Sequence, residues 1–279
     1  IFLIPTTKQL SGFYCDINYY LNQKKFVNDE LRIKNLFEKA QQETFILSKN
    51  LNPVNYTYTK KDKYVVFNYK SKEFAIRNEI YHNLEKKYNG PDNKINDYIL
   101  TGLIRYDTFG SGANQYMIDL NLKEFLKNKY NFDFECFGSM FNHYFTNYCS
   151  IFYDIERYFG SSGSIFTTDL LSGNFMANPP YDANLLNKMY EHIKKNMNKN
   201  NCIIYGIPKW DDFQLEEIMN NEKLYYKKME KHLLFQIDST RDNITIPPFI
   251  WYIFADKEYP NIDNLVNDLE LFNNIEKIE

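Results

Sequence analysis

The chain has 279 residues, with 33 Lys and Arg against 36 Asp and Glu, and a formal net charge of −3. This length allows one large domain or two smaller ones with a substantial hydrophobic core. No apolar run is long enough to cross a membrane and no signal peptide is visible, so we exclude an integral membrane protein and expect an intracellular one, in the cytoplasm or nucleus.

Charge is distributed unevenly along the chain. Residues 1–130 contain 20 Lys and Arg against 14 Asp and Glu, a balance of +6, whereas residues 131–279 contain 13 against 22, a balance of −9. The first part is therefore the better place for a polyanion, although a mixed solvated surface explains the excess nearly as well. The 4 cysteines and 4 histidines are scattered, which predicts no metal site and no disulfide framework.

The first part is expected to be mainly helical. The spacing of its apolar residues predicts helices over residues 28–48, 71–88, 95–106 and 122–130. Short strands are expected over residues 64–69 and 115–120. Arg105 lies beside the apolar stripe of the third helix, and the glycine loop that follows resembles a phosphate-binding loop. A flexible connector explains that loop equally well.

From residue 131 the pattern changes to alternating strands and helices. Strands are predicted over residues 132–137, 175–177, 201–207, 231–236 and 249–254, the last two as a closing pair. Helices are predicted over residues 141–152, 185–197 and 213–219, with a short amphipathic helix at the end. This alternation predicts a mostly parallel, doubly wound sheet, in which a ligand lies at the carboxyl ends of the strands where the strand order reverses.

The most informative stretch is Asn178-Pro179-Pro180-Tyr181, which follows an apolar run and precedes a helical pattern that starts near Ala183. Two prolines fix φ and supply no N–H, so the turn has one shape and its carbonyls can face a ligand. The Asn178 oxygen and a backbone carbonyl, such as that of Pro179, can accept both hydrogens of an exocyclic amino group, and the Tyr181 ring can stack on the base. The turn resembles motif IV of the amino-methyltransferases that use S-adenosylmethionine; a tight Pro-Pro turn is the simpler alternative.

Further blocks extend this resemblance in the same order along the chain. They cover residues 135–149, 158–163, 171–181 and 207–210. These blocks are similar to the cap-specific adenosine N6-methyltransferases, the family that interacts with the phosphorylated C-terminal domain of RNA polymerase II. The resemblance implies an α/β fold with a Rossmann-like S-adenosylmethionine-dependent core over residues 131–279. It also implies a mainly helical, basic domain over residues 1–130 for the substrate RNA.

The resemblance further implies the reaction and its residues. The cofactor would be S-adenosyl-L-methionine, and the target would be N6 of the cap-adjacent 2′-O-methyladenosine of mRNA, with no metal. The catalytic turn would be Asn178, Pro179, Pro180 and Tyr181. The cofactor would contact Phe137, Gly138, Ser139, Asn142, Gly160, Ser161, Gly163, Asp169 and Asn178. The substrate would contact Arg105, Tyr181, Lys209 and Trp210. An exposed turn explains Asp169 as well as cofactor binding does, and a core position is the simpler explanation of Trp210.

The sequence also departs from the family pattern. We find no WW-domain pattern and expect no WW-mediated contact with the polymerase. The tract after Trp210 is short and acidic, which leaves cap recognition open. Two alternatives therefore stand: an N6-adenosine methyltransferase acting on internal or tail RNA adenosines or on DNA, and a catalytically inactive RNA-binding scaffold. The Asn- and Lys-rich composition suggests a viral or protist source, and a viral factory as the location if the source is a virus.

Overall fold

The structure is a computed structural model. It describes residues 55–108, 116–118, 120–170, 172–180, 183–208, 224–231, 234–237, 243–245, 249–256, 258–260 and 262–275. The helices predicted over residues 28–48 and 213–219, and the glycine loop after the third predicted helix, lie outside these ranges.

A three-stranded antiparallel sheet opens the described part. Its strands are β1 (Thr57–Lys60), β2 (Tyr64–Tyr69) and β3 (Lys72–Arg77). The strand β2 was predicted with these bounds, but the helix predicted from residue 71 begins only at Asn78. Residues 72–77 pair with β2 instead, because Phe74 lies opposite Phe67 and Ile76 opposite Val65. Lys70 takes a left-handed conformation, with φ of 52°, in the turn between the two strands.

The described residues include six α-helices. They are α1 (Asn78–Lys87), α2 (Ile95–Thr108), α3 (Leu120–Tyr130), α4 (Tyr153–Glu156), α5 (Ala183–Asn196) and α6 (Ile262–Ile275). The start of α5 confirms the helix expected after the Pro-Pro turn. The helix predicted over residues 141–152 is wrong, since the backbone N–H groups of Tyr144 and Phe145 donate to the Glu135 carboxylate rather than to a helical carbonyl.

The remaining strands form a small sheet and a large one. They are β4 (Tyr116–Ile118), β5 (Phe132–Glu135), β6 (Asn147–Tyr148), β7 (Gly173–Ala177), β8 (Asn201–Pro208), β9 (Leu224–Lys231), β10 (Leu234–Ile237), β11 (Asn243–Thr245) and β12 (Phe249–Asp256). The large sheet has the order β6-β5-β7-β8-β12-β9, and the small one β11-β10-β4. The predicted closing pair is therefore wrong: β12 pairs with β8 and β9, whereas β10 belongs to the small sheet.

The large sheet is a Rossmann-like α/β sheet. Strands β6, β5, β7 and β8 are parallel, and β12 is antiparallel to its two neighbours. After β5 the chain adds β6 on one side and then returns to add β7 on the other. The strand order therefore reverses between β5 and β7, which is where a ligand is expected in such a sheet.

Hydrophobic side chains cover both faces of the large sheet. Along β8, Cys202 and Ile204 pack toward α3 and α6, whereas Ile203 and Tyr205 pack toward α5. This alternation follows the period of two of a strand and leaves no solvated face in the middle of the sheet. Among the described helices, none has the length and apolar character needed to span a membrane.

Candidate active site

A cleft opens at the point where the strand order reverses. The space between its lining residues is about 310 Å³, including the part that is open to solvent. Its lining residues are Ile118, Lys123, Glu135, Phe137, Asn142, Met176 and Asn178. They come from the ends of β5 and β7, from the segment after β5, and from β4 and α3. The cleft therefore presents a small group of polar and charged side chains, with the side chains of Ile118 and Met176 buried behind them.

Asn178 is the first residue after β7. The backbone of β7 is held in place because the Cys136 N–H donates to the Met176 carbonyl at 2.8 Å, and because β7 pairs with β8 through Ala177. Pro179 is buried and Pro180 is partly buried. Asn178 is thus carried into the cleft by a central strand and a proline turn. Tyr181, the fourth residue of this turn, lies outside the described residues.

A tight turn after β5 forms the facing wall of the cleft. Ser139 and Asn142 exchange backbone hydrogen bonds of 3.0 and 3.1 Å, and the Ser139 Oγ also accepts from the Asn142 N–H at 3.0 Å. Gly138 lies beneath this turn, where an added Cβ would come within 3.1 Å of the Tyr148 ring. Phe137 and Asn142 line the cleft together with Asn178. Ser139, which is buried, and Gly138, which is partly buried, shape the turn that presents them, and their assignment as cofactor contacts stays a prediction.

The wall is also supported by an imidazole ring. His143 stacks on Tyr148 with a centroid distance of 4.0 Å, and its Nδ1 lies 2.7 Å from the Ser139 carbonyl oxygen. Burial, and then the positive charge of Lys87, lowers the pKa of His143 to about 4. The neutral ring can donate from Nδ1 to Ser139 while its Nε2 accepts from the Lys87 ammonium, 2.6 Å away. Helix α1 is thereby connected to the cleft wall.

Two charged residues of the cleft were missed by the sequence interpretation. Lys123 Nζ donates to Glu135 Oε1 at 3.0 Å, and both side chains are almost entirely buried. The same oxygen accepts from the N–H groups of Tyr144, at 2.6 Å, and Phe145, at 3.3 Å. One signal was present, since Glu135 lies in the strand predicted over residues 132–137, whose carboxyl end faces the crevice. Lys123 gave no such signal, because it lies in a helix that the sequence assigned to the first domain.

The glycine-containing loop of residues 158–163 lies at the sheet edge, along β6. The Ser150 N–H donates to the Gly163 carbonyl at 2.8 Å, and the hydroxyls of Ser150 and Ser161 lie 2.6 Å apart. Gly160, with φ of 99°, ends a short 3-10 helix in the left-handed conformation that favours glycine. These residues do not line the cleft described above. Their assignment as cofactor contacts stays a prediction.

The structure places Arg105 in the core rather than among the residues that line the cleft, and its assignment as a substrate contact stays a prediction. Its guanidinium makes two bonds to the Asp154 carboxylate, of 2.7 and 2.9 Å, and lies over the Phe152 ring. The residue is only 2% exposed, so the charge is used within the core. The helical stripe beside Arg105 showed that the helix packs inward, but the sequence could not show a buried acidic partner 49 residues further along the chain.

Three other predicted site residues are not among the residues that line the cleft. Asp169 is exposed, after the short helical turn that precedes β7, and stays a prediction. Lys209 and Trp210 lie outside the described residues. Within the described ranges, no group of three or more His, Cys, Asp or Glu side chains is placed to hold a metal ion.

Comparison with known proteins identifies the family. Residues 77–239 match the family described as "Phosphorylated CTD interacting factor 1 WW domain", a range that includes the cleft. This is more than half of the chain. The chain belongs to this family. Although the description names a WW domain, the matched range runs from α1 across β4 to β10, and so includes four strands of the Rossmann-like sheet and β9 beside β12.

Two curated relatives match part of this chain. The mRNA (2′-O-methyladenosine-N(6)-)-methyltransferases of Mus musculus and Homo sapiens are 34% and 33% identical to it over 122 residues. These residues are 43% of this chain and 17% of each relative, so the chain matches only a small part of their length. A solved structure from Pyrococcus horikoshii, described as a candidate RNA methyltransferase, covers 64% of this chain and 96% of its own, at 11% identity. Its TM-score of 0.31 is too low to support a conclusion.

Proposed function

We propose that the protein transfers a methyl group from S-adenosylmethionine to adenine N6 in RNA, with the cap-adjacent 2′-O-methyladenosine of mRNA as its target. The observation that carries this proposal is the position of Asn178. It stands after a central strand, at the strand-order reversal, in a cleft whose facing wall is formed by Phe137 and Asn142. The names of the two mammalian relatives support the same reaction and the same target.

The residues of the cleft fit S-adenosylmethionine. The partly buried Phe137 offers an aromatic ring against which a flat base can pack, and Lys123 with Glu135 places a cation and an anion at the same opening. When bound, the cofactor supplies an electrophilic methyl group on a sulfonium centre. Asn142 and Asn178 provide uncharged hydrogen-bonding groups on two sides of the same space. The cleft thus combines the apolar, polar and charged groups that this molecule requires.

The proline turn accounts for the chemistry on the substrate side. The Asn178 side-chain oxygen would accept one hydrogen of the adenine amino group, and the Pro179 carbonyl would accept the other. Two acceptors favour a pyramidal nitrogen whose lone pair is available for attack, so no strong base is needed. The Tyr181 ring would stack on the base and hold it in plane. Because the prolines fix the backbone, the turn contributes mainly by positioning and by electrostatics.

The first prediction concerns Asn178. We expect Asn178→Ala to lower methyl transfer by at least about 100-fold, since a preorganised hydrogen-bonding group at the reacting atom is lost. Binding of S-adenosylhomocysteine, measured by calorimetry, should weaken by no more than about 10-fold, the effect of one lost hydrogen bond. Asn184→Ala, at an exposed position on α5, is the matched control and should keep full activity. If Asn178→Ala retained most of the wild-type activity, the turn would not be the catalytic element.

The choice of substrate is tested by a second experiment with three nucleic acids. They are an adenosine-start RNA with a 7-methylguanosine cap and 2′-O-methylation, the same RNA without a cap, and the matching DNA. Nucleoside mass spectrometry should find N6-methylation on the capped RNA. Equal methylation of the uncapped RNA would move the target to internal or tail adenosines, and a preference for DNA would exclude RNA as the substrate. No transfer and no cofactor binding would leave the scaffold alternative.

A further inference from the structure

The strongest further feature is the buried ion pair of the cleft. Lys123 is 2% exposed and Glu135 is 6% exposed, yet both line the same opening as Asn178. A buried ion pair is expensive to desolvate and is weak evidence for stability by itself. It becomes informative when its hydrogen-bonding capacity is compared with the partners that the protein supplies.

The Lys123 ammonium donates fewer hydrogen bonds to the described residues than it is able to make. It can donate three hydrogen bonds, but among the described residues Lys123 Nζ donates only to Glu135 Oε1. A buried ammonium with two unused N–H groups costs free energy unless another acceptor is present. Since Lys123 lines the cleft, the missing acceptor is expected to come from a molecule bound there.

The two oxygens of the Glu135 carboxylate differ in the hydrogen bonds that they accept. Within the described ranges, Glu135 Oε1 accepts all three bonds, from Lys123, Tyr144 and Phe145. No described donor reaches Oε2. Tyr144 and Phe145 hold the carboxylate in one orientation, because their N–H groups belong to the fixed backbone after the cleft wall. Glu135 therefore keeps one oxygen for a donor that the described residues do not provide.

From this arrangement we infer that Lys123 and Glu135 bind the two charged ends of an α-amino acid group. The Lys123 ammonium takes the ligand's carboxylate, and the free Glu135 oxygen takes the ligand's ammonium. S-adenosylmethionine carries this group, so the inference rests on the proposed function and adds the residues that recognise the methionine end. It also leaves the opposite end of the cofactor for the ring of Phe137, which lines the same cleft.

The test compares two ligands that differ in the amino-acid group. S-adenosylhomocysteine carries it and 5′-methylthioadenosine does not. Wild-type protein should bind S-adenosylhomocysteine more tightly in calorimetry. In Lys123→Met the affinity for S-adenosylhomocysteine should fall about 10- to 100-fold, as expected for a lost charge-assisted bond. Affinity for 5′-methylthioadenosine should stay within a few-fold.

Three further variants separate recognition from folding. Lys123→Arg keeps the positive charge and should retain most of the preference for S-adenosylhomocysteine. Lys127→Met, on the exposed side of α3, is the matched control and should leave both affinities unchanged. Glu135→Gln keeps the side-chain shape, removes the negative charge, and should also reduce the preference. If the thermal unfolding curve of Lys123→Met shows that this variant does not fold, Glu135→Gln replaces it in the comparison of the two ligands.

The results distinguish this inference from the proposed function. If Lys123→Met weakened both ligands equally, or neither, the pair would not recognise an amino-acid group. A higher KM for RNA with an unchanged affinity for S-adenosylhomocysteine would show that Lys123 binds a substrate phosphate, and would also overturn the inference. If the wild-type protein bound neither ligand, the proposed methyltransferase function itself would fail.

Discussion

At the scale of single residues, Glu156 is the most perturbed acid of the described core. It is fully buried and accepts hydrogen bonds from the Tyr106 hydroxyl, at 2.7 Å, and from the Met140 N–H, at 2.6 Å. Burial raises the pKa of Glu156 to about 7, although these hydrogen bonds oppose the shift. The residue thus joins α2 to the turn after β5, and with this pKa it changes its protonation state near physiological pH.

The raised pKa of Glu156 makes the free energy of unfolding depend on pH. The folded pKa is above the unfolded one, so the folded state binds more protons between pH 4.5 and about 7, and stability falls as the pH rises through that range. We predict that Glu156→Gln, which resembles the protonated acid, gains stability relative to wild type as the pH increases from about 5 to 8. The relative gain should approach roughly 3 kcal/mol, at 1.36 kcal/mol per pKa unit.

Denaturant unfolding at several pH values measures this gain. Glu124→Gln, at an exposed position on α3, is the control and should show little change in relative stability with pH. A constant difference between Glu156→Gln and wild type from pH 5 to 8 would contradict the raised pKa.

At the scale of elements, a buried ion pair and a buried hydrogen bond connect α2 to the segment after β6. Arg105 and Tyr106 pair with Asp154 and Glu156, and Arg105 lies over the ring of Phe152. Breaking a buried ion pair by removing one partner commonly costs 3–5 kcal/mol, because the other charge is left uncompensated. Because Arg105 makes this buried ion pair, its positive charge holds two elements together in the core and does not face the cleft.

We predict that Arg105→Met lowers the free energy of unfolding by about 3 kcal/mol or more, since it leaves Asp154 buried without its cation. Lys72→Met is the control, because it removes an exposed ion pair between β3 and Asp107 on the same α2, and should cost less than about 1 kcal/mol. Urea unfolding measures both. If Arg105→Met kept its stability but raised the KM for RNA, the original assignment as a substrate contact would return.

The elements also show how far sequence reasoning reaches. The strand β8 and the helix α5 were predicted nearly to the residue, because a continuous apolar run and a clear helical period leave little choice. Residues 72–77 and 141–152 were assigned to helices and are not helical. In the first case pairing with β2 prevails over helical spacing, and in the second the buried carboxylate of Glu135 takes the backbone N–H groups.

The same contrast holds for the cleft. Asn178 was predictable because four consecutive residues carry the whole motif. Phe137 and Asn142 could be placed once the carboxyl end of β5 was located. The pairing of Lys123 with Glu135 could not be predicted, since it depends on how α3 packs against the sheet, and no local pattern marks that contact.

At the scale of the whole molecule, the hydrophobic core crosses the boundary expected near residue 130. Val65, Phe67 and Leu84 from the first part share one buried cluster with Phe152 and Phe159 from the second. A second cluster joins α3 to the large sheet. Most of the stability of each part is therefore expected to depend on the other, because hydrophobic burial is the main favourable contribution to folding.

We therefore predict that residues 131–279, produced alone, do not fold cooperatively. Without the first part, the buried side chains of Met140, Phe152 and Phe159 would be exposed, and the acids Asp154 and Glu156 would lose Arg105 and Tyr106. Thermal unfolding should show no sharp transition, and calorimetry should find no binding of S-adenosylhomocysteine. Co-expression with residues 1–130 should restore the sharp transition and the binding of S-adenosylhomocysteine, because the missing contacts are non-covalent. A cooperative transition with cofactor binding in the isolated fragment would instead establish residues 131–279 as an independent domain.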